Sequence, residues 1–204
     1  MIAIVDYGLG NVGAFANVYK RLNIPCCVAK TPDELGKANK IILPGVGAFD
    51  HAMCLLNGSG MREALDEAVQ GRNLLVLGVC VGMQMMAHTS EEGQLPGLGW
   101  IDGEVRKLEV SRIRIRTRLP HMGWNNVIPI KADKIFEKLG DSPIFYFLHS
   151  FGFVFSSEES ILAVTEYGDR FPSAVRSRNV YGIQCHPEKS HHNGVQLLAN
   201  FAAL

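Results

Sequence analysis

Short apolar runs alternate with amphipathic stretches along the first half of the chain, and that alternation predicts the fold class. Ile2–Val5 is a continuous apolar run that ends in Asp6-Tyr7-Gly8-Leu9-Gly10-Asn11, a strand followed by a loop. Asn11 stands where a helix cap is expected, and Val12, Phe15, Ala16, Tyr19 and Leu22 follow at helical spacing. Cys26–Ala29 reads as a second strand. Thr31-Pro32-Asp33-Glu34 reads as a helix start, with Thr31 at N-cap and Pro32 at N1. Lys40–Leu43 is a third strand, closed by Pro44-Gly45-Val46-Gly47, and Met61–Val69 a helix ended by Gly71. Leu74–Leu77 is a wholly apolar fourth strand running through Gly78-Val79-Cys80-Val81-Gly82 into a helix from about Met83 to His88.

Strands that alternate with helices imply βαβ units, and unbroken apolar strands imply a sheet covered on both faces. The second half reads differently. Gly-rich turns and alternating strands run from Leu98 to Val127, and further strands are expected at Ile144–Leu148, Ile161–Tyr167, Ala174–Arg178 and Val180–Cys185. A last helix follows Pro187, over about Ser190–Phe201. The expectation is one α/β domain over residues 1–204, a mostly parallel central sheet flanked by helices, with a smaller antiparallel element in the second half.

Composition narrows the function classes. Twenty basic and twenty acidic side chains cancel, which argues against a nucleic-acid or membrane-surface binder. No apolar run approaches the roughly 18 residues of a membrane span, and the first residues read as a strand rather than a signal peptide. The five cysteines, Cys26, Cys27, Cys54, Cys80 and Cys185, have no paired spacing, so a reducing, cytoplasmic setting is expected, with Cys26 and Cys27 as small core residues. No Cys/His cluster has zinc spacing, and no metal or cofactor is expected.

The strongest chemical signal is Gly78-Val79-Cys80-Val81-Gly82, a Gly-x-nucleophile-x-Gly turn between an apolar strand and a helix. Side chains flanking so sharp a turn would collide, hence the glycines. A thiol there sits at a helix N-terminus, where the dipole favours thiolate, and the Val81 N–H is placed to donate to an oxyanion. A thiolate nucleophile needs a base, and the base needs an orienting acid. His186-Pro187-Glu188, just after the strand Val180–Cys185, supplies both. His51, His88, His121, His191 and His192 have no acid or elbow at a telling spacing.

These residues resemble the class I glutamine amidotransferases: Gly78-Val79-Cys80-Val81-Gly82-Met83-Gln84 looks like that family's nucleophile motif and His186-Pro187-Glu188 like its second signature. Asp6–Asn11, Leu43–Phe49, Pro120-His121-Met122-Gly123-Trp124-Asn125, Tyr146–Phe151 and His186–Ser190 further resemble the branch whose members are the glutaminase subunits of imidazole glycerol phosphate synthases. The resemblance implies a flavodoxin-like sheet and a Cys80-His186-Glu188 triad acting on L-glutamine through a γ-glutamyl thioester. It implies an oxyanion hole from the backbone at Val46, Gly47 and Val81, and substrate contacts from Gln84, His149, Ser150 and Phe151. Gly45 and Gly47 would permit a peptide flip in the oxyanion strand. It further implies a (β/α)8 cyclase partner that receives the ammonia in a heterodimer making imidazole glycerol phosphate, with Tyr7, Asn11, Met122, Trp124 and Lys189 near the interface.

Departures keep other readings open. Gly10-Asn11-Val12-Gly13-Ala14 replaces the family's more usual Gly-Asn-Leu-Arg-Ser, and Gly97–Ile101 and His191-His192-Asn193 also differ. Arg112, Arg114, Arg116 and Arg118 alternate with Ile113, Ile115, Thr117 and Leu119, so period 2 puts four arginines on one strand face. That row is either a charged edge strand or a dock for an acidic partner or phosphorylated ligand. These features resemble a paralogous branch that supplies ammonia for amidating a nucleotide-linked sugar in surface-polysaccharide synthesis. A catalytically silent scaffold and a stand-alone hydrolase are the readings from other classes.

Overall fold

A computed structural model of the chain describes residues 1–109, 119–155 and 157–204. The arginine row at 112–118 lies outside the described residues.

The first half follows the expected alternation: β1 (Ile2–Val5), α1 (Val12–Arg21), β2 (Cys26–Ala29), α2 (Pro32–Gly36), β3 (Lys40–Gly45), α3 (Phe49–Gly58), α4 (Arg62–Asp66), β4 (Leu75–Cys80) and α5 (Val81–Gln84). The second half holds β5 (Thr89–Ser90), β6 (Glu104–Lys107), β7 (His121–Asn126), β8 (Ile128–Pro129), β9 (Ile144–His149), β10 (Phe151–Val154), β11 (Ile161–Tyr167), β12 (Asp169–Ser177), β13 (Val180–Ile183) and α6 (His191–Ala203). Among the described residues the main sheet runs β2-β1-β3-β4-β13-β12-β11-β8. Strands β2, β1, β3, β4 and β13 are parallel, and β12, β11 and β8 continue antiparallel. A ribbon of β7 against β9 and a small sheet of β10, β6 and β5 stand apart from it.

Handedness assigns the helices. The chain steps outward from β1 to β2 and back past β1 to β3 and β4, so right-handed crossovers put α1 on one face and α2 to α4 on the other. The packing agrees: α1 meets α6, while α2 meets α4. The three strand tips that matter lie side by side, because β3 pairs with β4 through Gly45 opposite Cys80 and β13 pairs with β4 through Ile183 opposite Val79. Groups at the carboxyl ends of adjacent parallel strands therefore converge.

Several local expectations are corrected. Thr31 does cap α2, in a full capping box with Glu34, but Asn11 makes no side-chain cap bond and only its carbonyl accepts, from the Ala14 and Phe15 N–H groups. Helix α1 buries Phe15, Val18 and Tyr19; Val12, Ala16 and Leu22 are half-buried, so the face is rotated from the one expected. Helix α3 gives no local start signal because Ala48 holds its N-cap position and the Phe49 N–H is satisfied by Glu92, distant in sequence. Strand β10 adjoins β9 with no turn signal between them. The helix after Cys80 is one turn long rather than reaching His88, since Leu98 and Ile101 N–H groups take the carbonyls of Met85 and Met86. Cys26 and Cys27 are partly buried at the edge strand rather than in the core.

Close approach explains two glycines. A Cβ on Gly45 would lie 2.2 Å from the Gly82 nitrogen, and one on Gly82 would lie 2.0 Å from the Leu43 oxygen. Gly45 thus serves packing rather than backbone freedom, and of the two glycines expected to permit a flip only Gly47 has positive φ (+87°). Gly45→Ala and Gly82→Ala should each destabilise the fold by about 1–3 kcal/mol through overpacking. Gly13→Ala in α1, where a Cβ meets nothing within 4 Å, should instead stabilise by about 0.5–1 kcal/mol. Urea unfolding of the three variants would measure the contrast, and equal effects would refute it.

Candidate active site

Cys80 closes β4 with φ 55° and ψ −116°, a conformation that residues with side chains avoid. Such a backbone costs on the order of 1–3 kcal/mol and persists only where neighbours over-determine it. Here the neighbours are the interlocked backbones of β3 and α5 around Gly45 and Gly82. The turn aims the thiol off the sheet, yet Cys80 is only 3% exposed. Its sulfur sits at the base of a cavity of about 280 Å³. The cavity wall includes Val46, Gly47 and Val81 on one side and Leu148, His149, Ser150 and Phe151 on the other.

His186 follows β13 in a short turn and is buried. Its Nδ1 lies 2.9 Å from Glu188 Oε1, so Nε2 is the nitrogen left for Cys80. The turn is bolted to β9: the Ser190 hydroxyl donates to the His186 carbonyl (2.6 Å) and accepts from the Tyr146 N–H (2.9 Å), while the His186 N–H donates to the Tyr146 carbonyl (2.8 Å). Burial alone would drive the His186 imidazole down. Its hydrogen bonds to Cys80 and Glu188, and their negative charge, outweigh that and push it up to about 10. The site therefore holds a charged imidazolium against the sulfur across the neutral range. Since the value is raised from 6.5, the stability this charge contributes is complete below about pH 6.5 and is lost as pH rises through about 10. With α5 only one turn long, this imidazolium is the larger positive influence on the thiol, and the helix dipole the smaller.

The loop joining β3 to α3 is anchored at both ends. The Tyr7 hydroxyl donates to the Pro44 carbonyl (2.8 Å), and the Phe49 N–H donates to Glu92 (2.9 Å). Tyr7 is buried, so it supports this loop from within instead of facing outward. Glu92 also lines the cavity, as does Lys189. Gln84 is buried, and its amide donates to the Phe151 carbonyl (2.8 Å) and to Gln184 Oε1 (3.1 Å).

The structure thus gathers Cys80, His186, Val46, Gly47, Val81, Gln84, His149, Ser150 and Phe151 around one cavity, with Glu188 behind His186. Asn11, Met122, Trp124 and Lys189 are exposed. Met122 (65% exposed) and Trp124 (49%) share the outer face of the β7–β9 ribbon with Ile144 and Leu148. His121, which has no telling sequence spacing, is buried against His149. Glu92 and Gln184 were not singled out from sequence. Glu92 lies in a turn with no motif, whereas Gln184 could have been noticed as a polar interruption of the apolar run Val180–Cys185.

Comparison with known proteins places this geometry. The family model of class I glutamine amidotransferases matches residues 3–203. The imidazole glycerol phosphate synthase subunit HisH of Bdellovibrio bacteriovorus is 56% identical over 204 residues, covering both chains in full. The protein of the same name from Leptospira interrogans is 48% identical over the same span, and HisH 2 of Pseudomonas aeruginosa is 42% identical, again with both chains covered in full. Among solved structures, a glutamine amidotransferase superposes with a TM-score of 0.74 at 20% identity, covering 100% of this chain and 99% of its own. PurLQS from Thermotoga maritima superposes with a TM-score of 0.71 at 18% identity, covering 98% and 96%. These two share the fold. With a strained thiol at a strand end, a buried His-Glu pair beside it and a family match across nearly its whole length, the chain belongs to the class I glutamine amidotransferases.

Proposed function

We propose that this chain is the glutaminase subunit of an imidazole glycerol phosphate synthase, hydrolysing L-glutamine and passing the ammonia to a (β/α)8 cyclase subunit in a heterodimer. The carrying observation is the Cys80-His186-Glu188 constellation beside a cavity that Val46, Gly47 and Val81 also line. Sγ of Cys80 attacks the side-chain amide carbon, and the N–H groups around Val81 and Val46–Gly47 take the charge that develops on oxygen. The imidazolium of His186 gives its proton to the departing nitrogen as the C–N bond breaks, leaving a γ-glutamyl thioester and ammonia. His186 then takes a proton from water, whose oxygen attacks the thioester. The C–S bond breaks, and glutamate and the thiolate are released. Glu188 keeps the imidazole oriented and charged through its 2.9 Å bond.

Substrate contacts follow from what lines the cavity. Both amide N–H bonds of Gln84 point into the protein, so Gln84 meets substrate through its oxygen. Glu92 suits the α-ammonium of glutamine, and Lys189 its α-carboxylate. Ser150 and Phe151 hold substrate through their backbone.

The outer face of the β7–β9 ribbon is the docking surface in this reading. Trp124 stacks on His191 (ring centroids 5.1 Å apart) and meets Tyr146 edge-on, and Lys189 stands over the Tyr146 ring. An exposed patch of Met122, Trp124, Ile144 and Leu148 beside the cavity is what a permanent subunit covers. Free ammonia in bulk water takes up a proton and stops being a nucleophile, so a closed interface protects the transfer. Near-half to majority identity over full length to proteins named as HisH favours this acceptor over the polysaccharide branch, and the intact triad disfavours a silent scaffold.

Three tests follow. Cys80→Ala should abolish glutamine-dependent synthesis in the complex and leave synthesis from added ammonium salt unchanged; equal loss of both would refute the division of labour. Glu188→Gln should lower glutamine kcat with little change in KM, and should let the His186 imidazole, doubly protonated to about pH 10 in the wild type, lose its proton nearer neutrality. A pure rise in KM, or an unmoved 15N titration of His186, would remove Glu188 from that role. Trp124→Ala should weaken binding to the cyclase by at least about 2 kcal/mol in calorimetry while leaving the fold intact; unchanged affinity would move the docking face elsewhere.

A further inference from the structure

Gln184 is completely buried, so its carboxamide has to be satisfied by protein atoms. Its Oε1 accepts from Gln84 Nε2 at 3.1 Å, and its Nε2 then points at Cys80 Sγ, 3.8 Å away. A neutral sulfur is a weak acceptor, and a thiolate a strong one. The contact therefore gains strength when the nucleophile ionises.

What holds Gln184 the right way round is a chain of groups with only one consistent set of proton positions. The Phe151 carbonyl can only accept; it takes one bond from Gln84 Nε2 and one from His149 Nδ1, each at 2.8 Å. His149 Nδ1 thus carries the proton, and its Nε2 is an acceptor. His121 Nδ1 lies 3.2 Å from that Nε2 and must donate. His121 Nε2 is then an acceptor in turn, facing the side-chain amide of Asn125 at 3.2 Å. Asn125 is fixed by donating to the Glu166 carbonyl and accepting from the Asn126 N–H. Both rings are kept neutral by burial, His121 pushed down to about 4 and His149 to about 3, so neither can donate from both nitrogens near neutral pH.

We propose that Gln184 is a catalytic residue for the thiolate step. It donates to Cys80 Sγ in addition to His186, and the chain Asn125, His121, His149, Phe151 carbonyl, Gln84 positions its amide. The inference rests on the triad reading above and adds a donor to it. Among the described residues the other titratable groups near the sulfur do not take the role: the Tyr7 hydroxyl gives its proton to the Pro44 carbonyl, the Cys185 thiol is a weak donor, and His186 is already committed as the triad base. Asn125, at the far end of the chain, lies on β7, the strand whose outward side chains form the docking face, so the order of the sulfur's donor is coupled through five groups to that strand.

The test is the pH dependence of Cys80 alkylation by iodoacetamide, followed by mass spectrometry at Cys80 because the exposed Cys54 reacts as well. Gln184→Met removes the donor and keeps the length. It should raise the alkylation midpoint by about one pH unit, the expected loss for one hydrogen bond to a charged group, and lower glutamine kcat roughly tenfold at unchanged KM. Coincident midpoints in the wild type and Gln184→Met would overturn the proposal. If Gln184→Met does not fold, the wild type decides by 15N NMR. The Gln184 side-chain amide must shift with ionisation of Cys80, and His121 and His149 must both be Nδ1–H tautomers. An amide blind to that titration, or an Nε2–H tautomer in either ring, sinks the idea. A wild-type protein whose Cys80 is not modified by a glutamine-mimicking chloroketone would instead count against the glutaminase reading itself.

Discussion

Two backbones passing within van der Waals contact at Gly45 and Gly82 underlie the rest of this molecule. No side chain fits at either position, so β3 and the start of α5 lock together around the tip of β4. That lock holds Cys80 in a conformation it would not adopt alone, with φ 55°. It also sets the loop at Val46 and Gly47 beside the thiol, because Gly45 is opposite Cys80 in the sheet register. The thiol and the backbone of this loop are thus positioned by one packing event, and the Tyr7 and Glu92 contacts at the ends of the loop limit where it can move.

Burial acts on three histidines in the same direction and yields opposite outcomes. It pulls His121, His149 and His186 all toward the neutral form. Only His186 has a thiol and a carboxylate at its two nitrogens, and these reverse the shift. His121 and His149 hydrogen-bond only to neutral partners, and the positive charge of His186 acts on His149 in the same direction as burial, so both stay uncharged and act as directional links. One protein interior therefore contains a charged imidazole that can exchange a proton and two neutral ones that fix the direction of hydrogen bonds. Partner groups decide between those roles, not depth.

The β7–β9 ribbon joins the interior chemistry to the exterior. Of its inward residues His149 lines the cavity and His121 is buried behind it, and its outward residues, Met122, Trp124 and Leu148, form the exposed apolar face. Ser190 ties the same ribbon to the turn carrying His186 and Glu188. A subunit seated on this face would press on the one element bonded both to the base and to the chain behind Gln184. Strand pleating, which sends neighbouring side chains to opposite faces, makes that double contact possible.

Local signals carried much of this into the sequence. Apolar runs marked β1 to β4, Thr31 and Pro32 marked α2, and the spacing of Gly78, Cys80 and Gly82 marked the nucleophile, because each depends on neighbours a few residues apart. His186 and Glu188 were legible for the same reason. Elements whose stabilising partners are distant were not: α3 is capped by Glu92, α1 packs on β1, β2 and the distant α6, and Tyr7 points inward where the Pro44 carbonyl accepts its hydroxyl. Gln184 and His121 were invisible as chemistry because a buried amide or imidazole has no meaning until its partners are known. Residue types and short spacings determined which groups could react. The tertiary structure alone decided which were charged, which way each hydrogen bond runs and which face lies open, because those depend on desolvation and on contacts between residues far apart in the chain.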